Sequence, residues 1–173
     1  NNINIRAIAQ GASERNISII INKKNTQKAL NTIHESFFEE QSRELNLFIT
    51  GVGNVGGKLI EQINNQKAYL LKHLSLKIRV IALSNSKKML LNNEHIPLDN
   101  WKEQLEKSSV NADREVFFNY IKILNLRNSI FVDNTANESI SKLYATYLKE
   151  SVAVVTCNKI ACSSNYSNYL RLK

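Results

Sequence analysis

The chain has 173 residues, 43% of them hydrophobic, and carries 23 Lys and Arg against 15 Asp and Glu, a formal net charge of +8. That length suits one domain, or one domain plus a fragment, with enough apolar content for a core and no apolar run long enough to span a bilayer. The basic residues are dispersed rather than gathered in a Lys/Arg block, which argues against nucleic acid as a partner. Cys157 and Cys162 match no zinc, redox or disulfide spacing, which suits a reducing cytoplasm.

The opening Asn1-Asn2-Ile3-Asn4-Ile5-Arg6 shows neither an initiator Met nor a signal-peptide layout, so the chain reads as an excerpt or a processed piece. Ile3, Ile5, Ala7 and Ala9 alternate with Asn4, Arg6 and Ile8, the pattern of a half-buried strand. A polar turn follows from Gln10 to Asn16, and the β-branched run Ile17–Asn22 predicts a second strand. Asn25-Thr26 is placed to cap a helix whose face is Ala29, Leu30, Ile33, His34, Phe37 and Phe38. Residues 1–40 thus form a ββα unit too small to bury much surface, expected to be half of a larger α+β module. Residues 41–44 read as the linker, and residues 45–173 as the second domain.

From Leu45 the pattern becomes strand–helix alternation, which predicts a mainly parallel, doubly wound α/β sheet. Strands are expected at Leu45–Thr50, Ile78–Leu83, Ser129–Asp133 and Val152–Thr156, the last apolar enough for burial on both faces. Helices are expected over Val55–His73, Leu98–Lys107, Asp113–Leu124, Asn137–Glu150 and Asn165–Arg171. The first strand runs into Gly51-x-Gly53-x-x-Gly56, and a helix follows at once. Strand, glycines and helix in this order make a dinucleotide-binding fingerprint, the mark of a Rossmann-type fold. Gly51 permits the tight turn, Gly53 lets a pyrophosphate approach the backbone, and Gly56 lets the helix pack closely. The helix N-terminus then presents free N–H groups to phosphate.

In such a sheet, ligands sit beyond the C-terminal strand ends. The rule selects four loops: Gly51–Gly57, Ser84–Lys88, Asp133–Asn137 and Thr156–Ala161. An NAD site usually places an acid after the second strand, yet no Asp or Glu lies between Glu61 and Glu94. Ser84, Asn85, Ser86, Lys87 and Lys88 suit a 2′-phosphate better, which favours NADP with NAD tolerated. Taken singly, Lys87 and Lys88 are more commonly solvated turn residues. Thr135 is placed to bond the cofactor's ribose or nicotinamide, or else to cap a turn, and Asp133 anchors that turn. Lys159 is placed to orient or polarise a substrate group, or to shuttle a proton. His34, His73 and His95 fall outside these loops, and no neighbour in sequence activates Cys157.

Ile5–Ser18 resembles the end of the regulatory ACT region of aspartokinases. Phe48–Gly57, Ser84–Lys87, Val132–Thr135 and Val154–Lys159 resemble homoserine dehydrogenase. In tandem they are similar to the bifunctional aspartokinase/homoserine dehydrogenases of bacteria and plants, over essentially the whole chain. The resemblance implies an NAD(P)-dependent oxidoreductase of threonine and methionine biosynthesis that reduces L-aspartate-4-semialdehyde to L-homoserine. It assigns Gly51, Gly53, Asn54, Val55, Gly56, Ser84 and Thr135 to the cofactor and Lys159 to both cofactor and substrate. It also implies an ACT-like fold for the first unit, Gln10 as a threonine-sensing residue, a homo-oligomer at full length, and no metal within this segment. Two departures stand out: Cys157 replaces a usual Pro, and Ile160 replaces a second Lys. The family's kinase part and its substrate-binding part fall outside the segment, so residues 1–173 alone are expected to turn nothing over. Two alternatives stay open: a non-catalytic sensing module, and another NADP-dependent reductase of the same fold.

Overall fold

In the computed structural model, residues 3–11, 16–37 and 43–173 are described. The chain divides into two compact units, residues 1–41 and 42–173.

In the first unit, β1 (Ile5–Gln10) pairs antiparallel with β2 (Ile17–Ile21), with Gln10 opposite Ile17. A short 3-10 turn follows, capped by Asn22, whose side chain accepts from the Lys24 N–H at 3.1 Å. Helix α1 (Thr26–Phe37) continues from it. Phe38 and the core of the expected turn lie outside the described residues. The expected half-burial of the first strand is not found: every residue of β1 is exposed, and Ile8 is 65% exposed. Two strands and one helix have too little area to cover either apolar face fully.

The second unit is built on β3 (Arg43–Thr50), β4 (Leu76–Ser84), β5 (Met89–Leu91), β6 (Ser129–Asp133) and β7 (Ala153–Thr156), in sheet order β5-β4-β3-β6-β7. β3, β4, β6 and β7 run parallel, and β5 is an antiparallel edge. The chain moves from β3 to β4 and β5, then crosses back to β6 on the other side of β3. That reversal puts a topological switch point between β3 and β6, where their C-terminal ends Thr50 and Asp133 pair.

Strand alternation divides the core into two layers. Leu47 and Ile49 face α2 (Asn54–Leu74) and α3 (Trp101–Lys107), packing with Ile60, Ile63, Trp101 and Leu105. Phe48 faces the opposite layer, with Phe117 and Ile121 of α4 (Arg114–Leu124) and Phe131, Tyr144 and Tyr147. Burying each such large apolar side chain contributes about 1.5–3 kcal/mol. The β3–β4 register slips by one residue at Ile81, so Leu47 still meets Val80 and Phe48 meets Ala82, like face against like.

Several boundaries shift from expectation. Arg43 and Glu44, read as linker, open β3, because Glu44 pairs across the strands with Lys77 (2.7 Å) and Arg79 (3.0 Å) of β4. The helix expected over Asn137–Glu150 breaks into α5 (Glu138–Ser141) and α6 (Tyr144–Lys149). At the break the Leu143 N–H donates to the Ile140 carbonyl, three residues back instead of four, at 3.0 Å. β7 is not buried on both faces: as the sheet's edge it leaves Val155 56% exposed. Helices α7 (Ile160–Ser163) and α8 (Tyr166–Leu172) close the unit. No described helix is long and apolar enough to cross a membrane.

Candidate functional site

The glycine loop joins β3 to α2, and each glycine meets a different constraint. Gly51 has φ +84°, and a Cβ there would lie 2.7 Å from Thr135 Cγ2. Its N–H donates to the Ser84 carbonyl at 2.8 Å, locking the turn to the end of β4. Gly56 lies under the same turn, so a Cβ would drive into the Gly51 carbonyl. Around Gly53 the reverse holds: apart from its chain neighbours, no described residue lies within 4 Å of the position a Cβ would take. Gly53 is also the N-cap of α2, where no side chain caps the helix and no acid sits in the first turn. The orphan N–H groups of Asn54 and Val55 therefore face outward with the positive end of a 21-residue helix.

The turn after β4 is shaped by Asn85. Its Oδ1 accepts the N–H groups of Lys87 and Lys88, both at 2.7 Å. Lys88 then reaches the Glu106 carbonyl at 2.5 Å and is engaged there. Lys87 is exposed, and among the described residues its ammonium has no partner. Ser84 is buried, and its Oγ donates to the Asn85 carbonyl at 3.0 Å. Ser84, Asn85 and Ser86 line a cavity of about 190 Å³, bounded opposite by Asp113 and Arg114 of the α4 N-terminus and by Asn137. Arg114 was not singled out in the sequence, where a lone Arg at a helix start carries no signal.

Beyond β6 and β7, one carboxylate organises two loops. Asp133 is fully buried. It accepts the Thr135 N–H at 2.8 Å, the Tyr144 hydroxyl at 2.5 Å and the Asn158 amide at 3.1 Å. Burial first, and then donation to Asp133, pushes the Tyr144 phenol well above its usual range. Thr135 Oγ1 accepts the Asn137 N–H at 3.2 Å, so its capping role is real. Its methyl touches the space above Gly51, so it also borders the glycine loop. Lys159 stands exposed at the start of α7, and its ammonium too has no partner among the described residues.

The Cys157 replacement has a visible consequence. Its N–H donates to the Asp133 carbonyl at 2.9 Å, a bond that proline lacks, and its Sγ lies 3.4 Å from Asn134 Oδ1. Asn134 Nδ2 is buried without a hydrogen-bond partner among the described residues, 3.2 Å from where a Gly56 Cβ would stand. An orphaned amide, an open backbone at Gly53 and an uncapped, acid-free helix start all fit a dinucleotide pyrophosphate.

Gly51, Ser84 and Thr135 therefore meet at one end of the sheet, with Gly53, Asn54, Val55 and Gly56 above them. Lys159 follows β7, two strands from β3. Gln10 is exposed on β1 of the first unit. Asn158 and Tyr144 were missed as site-forming residues. Tyr144 sits in an apolar helix stripe, where a phenol signals a needed partner.

A family model described as the NAD-binding domain of homoserine dehydrogenase matches residues 51–173. The chain belongs to the homoserine dehydrogenase family. A model of the ACT domain matches residues 1–37. The chain is 41% identical over 172 residues to a bifunctional aspartokinase/homoserine dehydrogenase of Haemophilus influenzae, covering 99% of this chain and 21% of that protein. It is 38% identical over 173 residues to the chloroplastic bifunctional aspartokinase/homoserine dehydrogenase 1 of Arabidopsis thaliana, again covering 99% of this chain and 19% of that one. It thus spans about a fifth of the length of these relatives. Among solved structures, a hyperthermophilic archaeal homoserine dehydrogenase mutant in complex with NADPH matches with a TM-score of 0.57 at 23% identity, over 74% of this chain and 40% of that one. The homoserine dehydrogenase of Thermoplasma acidophilum matches with a TM-score of 0.57 at 18% identity, over 74% and 39%. These likenesses establish the Rossmann-type α/β fold of a homoserine dehydrogenase NAD-binding domain.

Proposed function

We propose that this chain is the cofactor-binding part of a bifunctional aspartokinase/homoserine dehydrogenase, which reduces L-aspartate-4-semialdehyde to L-homoserine with NADPH. The observation that carries this reading is the open backbone at Gly53, set at the uncapped start of α2, together with the orphaned Asn134 amide near Gly56. When bound, the nicotinamide cofactor supplies the reducing equivalents. The chain's own residues bind and orient. Gly51, Gly53 and Gly56 shape the cradle, and the N–H groups of Asn54 and Val55 hold the pyrophosphate. The cavity under Ser84 receives the adenosine side, and the unpaired Lys87 ammonium meets a 2′-phosphate, which favours NADP over NAD. Thr135 borders the nicotinamide side. Lys159, the exposed cation beyond β7, orients the substrate carbonyl and stabilises negative charge that develops on its oxygen.

In the same reading, residues 1–40 are the C-terminal part of an ACT-like domain in which Gln10 contributes to sensing threonine. The full-length protein is a cytoplasmic homo-oligomer that works on small molecules. The test is turnover by the full-length protein carrying this sequence, with aspartate semialdehyde and either NADPH or NADH. Faster turnover with NADPH is expected. No reduction with either cofactor overturns the reading.

A further inference from the structure

Asp133 does more than anchor one turn. Its Oδ1 accepts the Thr135 N–H at 2.8 Å, and its Oδ2 accepts both the Tyr144 hydroxyl at 2.5 Å and the Asn158 amide at 3.1 Å. The three donors come from three places in the chain: the loop after β6, helix α6, and the loop after β7. Asn158 is 3% exposed and extends the link. Its Nδ2 also reaches the Asn137 carbonyl at 3.0 Å, and its Oδ1 accepts the Ile160 N–H at 3.1 Å. Lys159 lies between Asn158 and Ile160, so its backbone is clamped on both sides by one side chain that Asp133 holds. The main chain of Asp133 adds a second tie, accepting the Cys157 N–H at 2.9 Å.

A buried carboxylate is costly unless its lone pairs are met, and charge-assisted bonds are the strong ones. Anchoring the Thr135 turn alone needs one neutral acceptor. Three converging donors need a carboxylate. Neither Tyr144 nor Asn158 is required by the β6–α5 turn itself, and both connect it to the segment that bears Lys159.

We propose that Asp133 is a positioning residue of the active site. Its single carboxylate sets the Thr135 loop and the Lys159 loop in one register, so that both side chains face cofactor and substrate together. The proposal rests on the site reading given above for Thr135 and Lys159.

The test uses Asp133→Asn in the full-length protein. An amide offers one acceptor oxygen, so its NH2 must confront the Asn158 amide, and the Lys159 loop is released while the turn at Thr135 stays bonded. Circular dichroism checks the fold, and the intrinsic fluorescence of NADPH reports its Kd apart from turnover. A fall in kcat of about tenfold or more is expected, because small misplacements of a catalytic group are costly. The Kd for NADPH should rise less than kcat falls, because the glycine cradle is untouched.

The second readout is the double-mutant cycle with Lys159→Ala. If Asp133 acts through Lys159, the double variant is no slower than Lys159→Ala alone, within about twofold. Fully additive losses overturn the proposal, and so does a folded Asp133→Asn protein with unchanged kcat. If Asp133→Asn does not fold, Asn158→Ala removes the bonds of that side chain to Asp133, Asn137 and Ile160 while Asp133 keeps Thr135 and Tyr144, and it carries the same cycle with the same outcomes. Lys159→Ala and Thr135→Ala measured alone separate the two levels. If both leave NADPH binding and turnover unchanged, the site reading fails and takes the proposal with it. If they impair the protein while Asp133→Asn and Asn158→Ala do not, positioning alone is refuted.

Discussion

Gly53→Ala separates a phosphate cradle from an ordinary strand–helix turn. The substitution adds one methyl at the N-cap of α2, and apart from its chain neighbours no described residue has an atom within 4 Å of its position. Folding stability should therefore move by less than about 1 kcal/mol. The cost falls on the ligand instead. A methyl standing where a phosphate approaches the backbone acts as overpacking, about 1–3 kcal/mol. That range weakens the Kd for NADPH about 5- to 150-fold. Gly56→Ala is the contrasting case, because its methyl meets the Gly51 carbonyl carbon at 3.0 Å and the carbonyl oxygen more closely still. The turn itself must move, so stability falls by about 1–3 kcal/mol together with binding. Urea denaturation of the full-length protein gives the first quantity, and titration of NADPH fluorescence gives the second. An unchanged Kd in Gly53→Ala refutes the cradle. A large loss of stability in the same variant refutes the open geometry around Gly53.

Lys87→Ala should raise the Kd for NADPH about tenfold and leave that for NADH unchanged, since one charge-assisted bond to the 2′-phosphate is lost. Equal effects on both cofactors would remove Lys87 from that role, and Ser84→Asp should shift preference toward NADH in the same assay. Tyr144 and Tyr147 both have phenols pushed up, by burial first and then by Asp133, through a hydrogen bond to Tyr144 and through its charge on Tyr147. Their unfolded pKa is about 10, so this contribution to stability is complete below that pH and is lost as pH rises toward the higher folded values. In an alkaline titration followed by tyrosinate absorbance, these two of the six tyrosines should therefore ionise only as the chain unfolds. Smooth ionisation of all six in the folded protein would contradict the burial.

Much of the second unit is local in origin, and so it was legible in the amino-acid order. The glycines at 51, 53 and 56 announce a strand–turn–helix because only their missing side chains permit it. The acid-free run after β4 is a statement about charge that needs no coordinates. Asp113 and Asn165 stand where two of the expected helices begin, and the structure shows both as caps, accepting from Val116 and Asn168. What the residue order could not supply was anything set by neighbours distant along the chain. Glu44 looked like linker because its partners Lys77 and Arg79 arrive only when β4 pairs with β3. An all-apolar β7 looked doubly buried, but its place at the sheet edge is a property of the strand order. The helix after β6 looked continuous, yet it breaks where the 3-10 turn at Leu143 lets Tyr144 reach Asp133. Sequence by itself determined which ligand chemistry the loops suit, because residue type and spacing carry charge and backbone freedom. Only the tertiary structure decided that one buried carboxylate joins the loops of Thr135 and Lys159, because its donors lie on separate elements that the fold alone brings together.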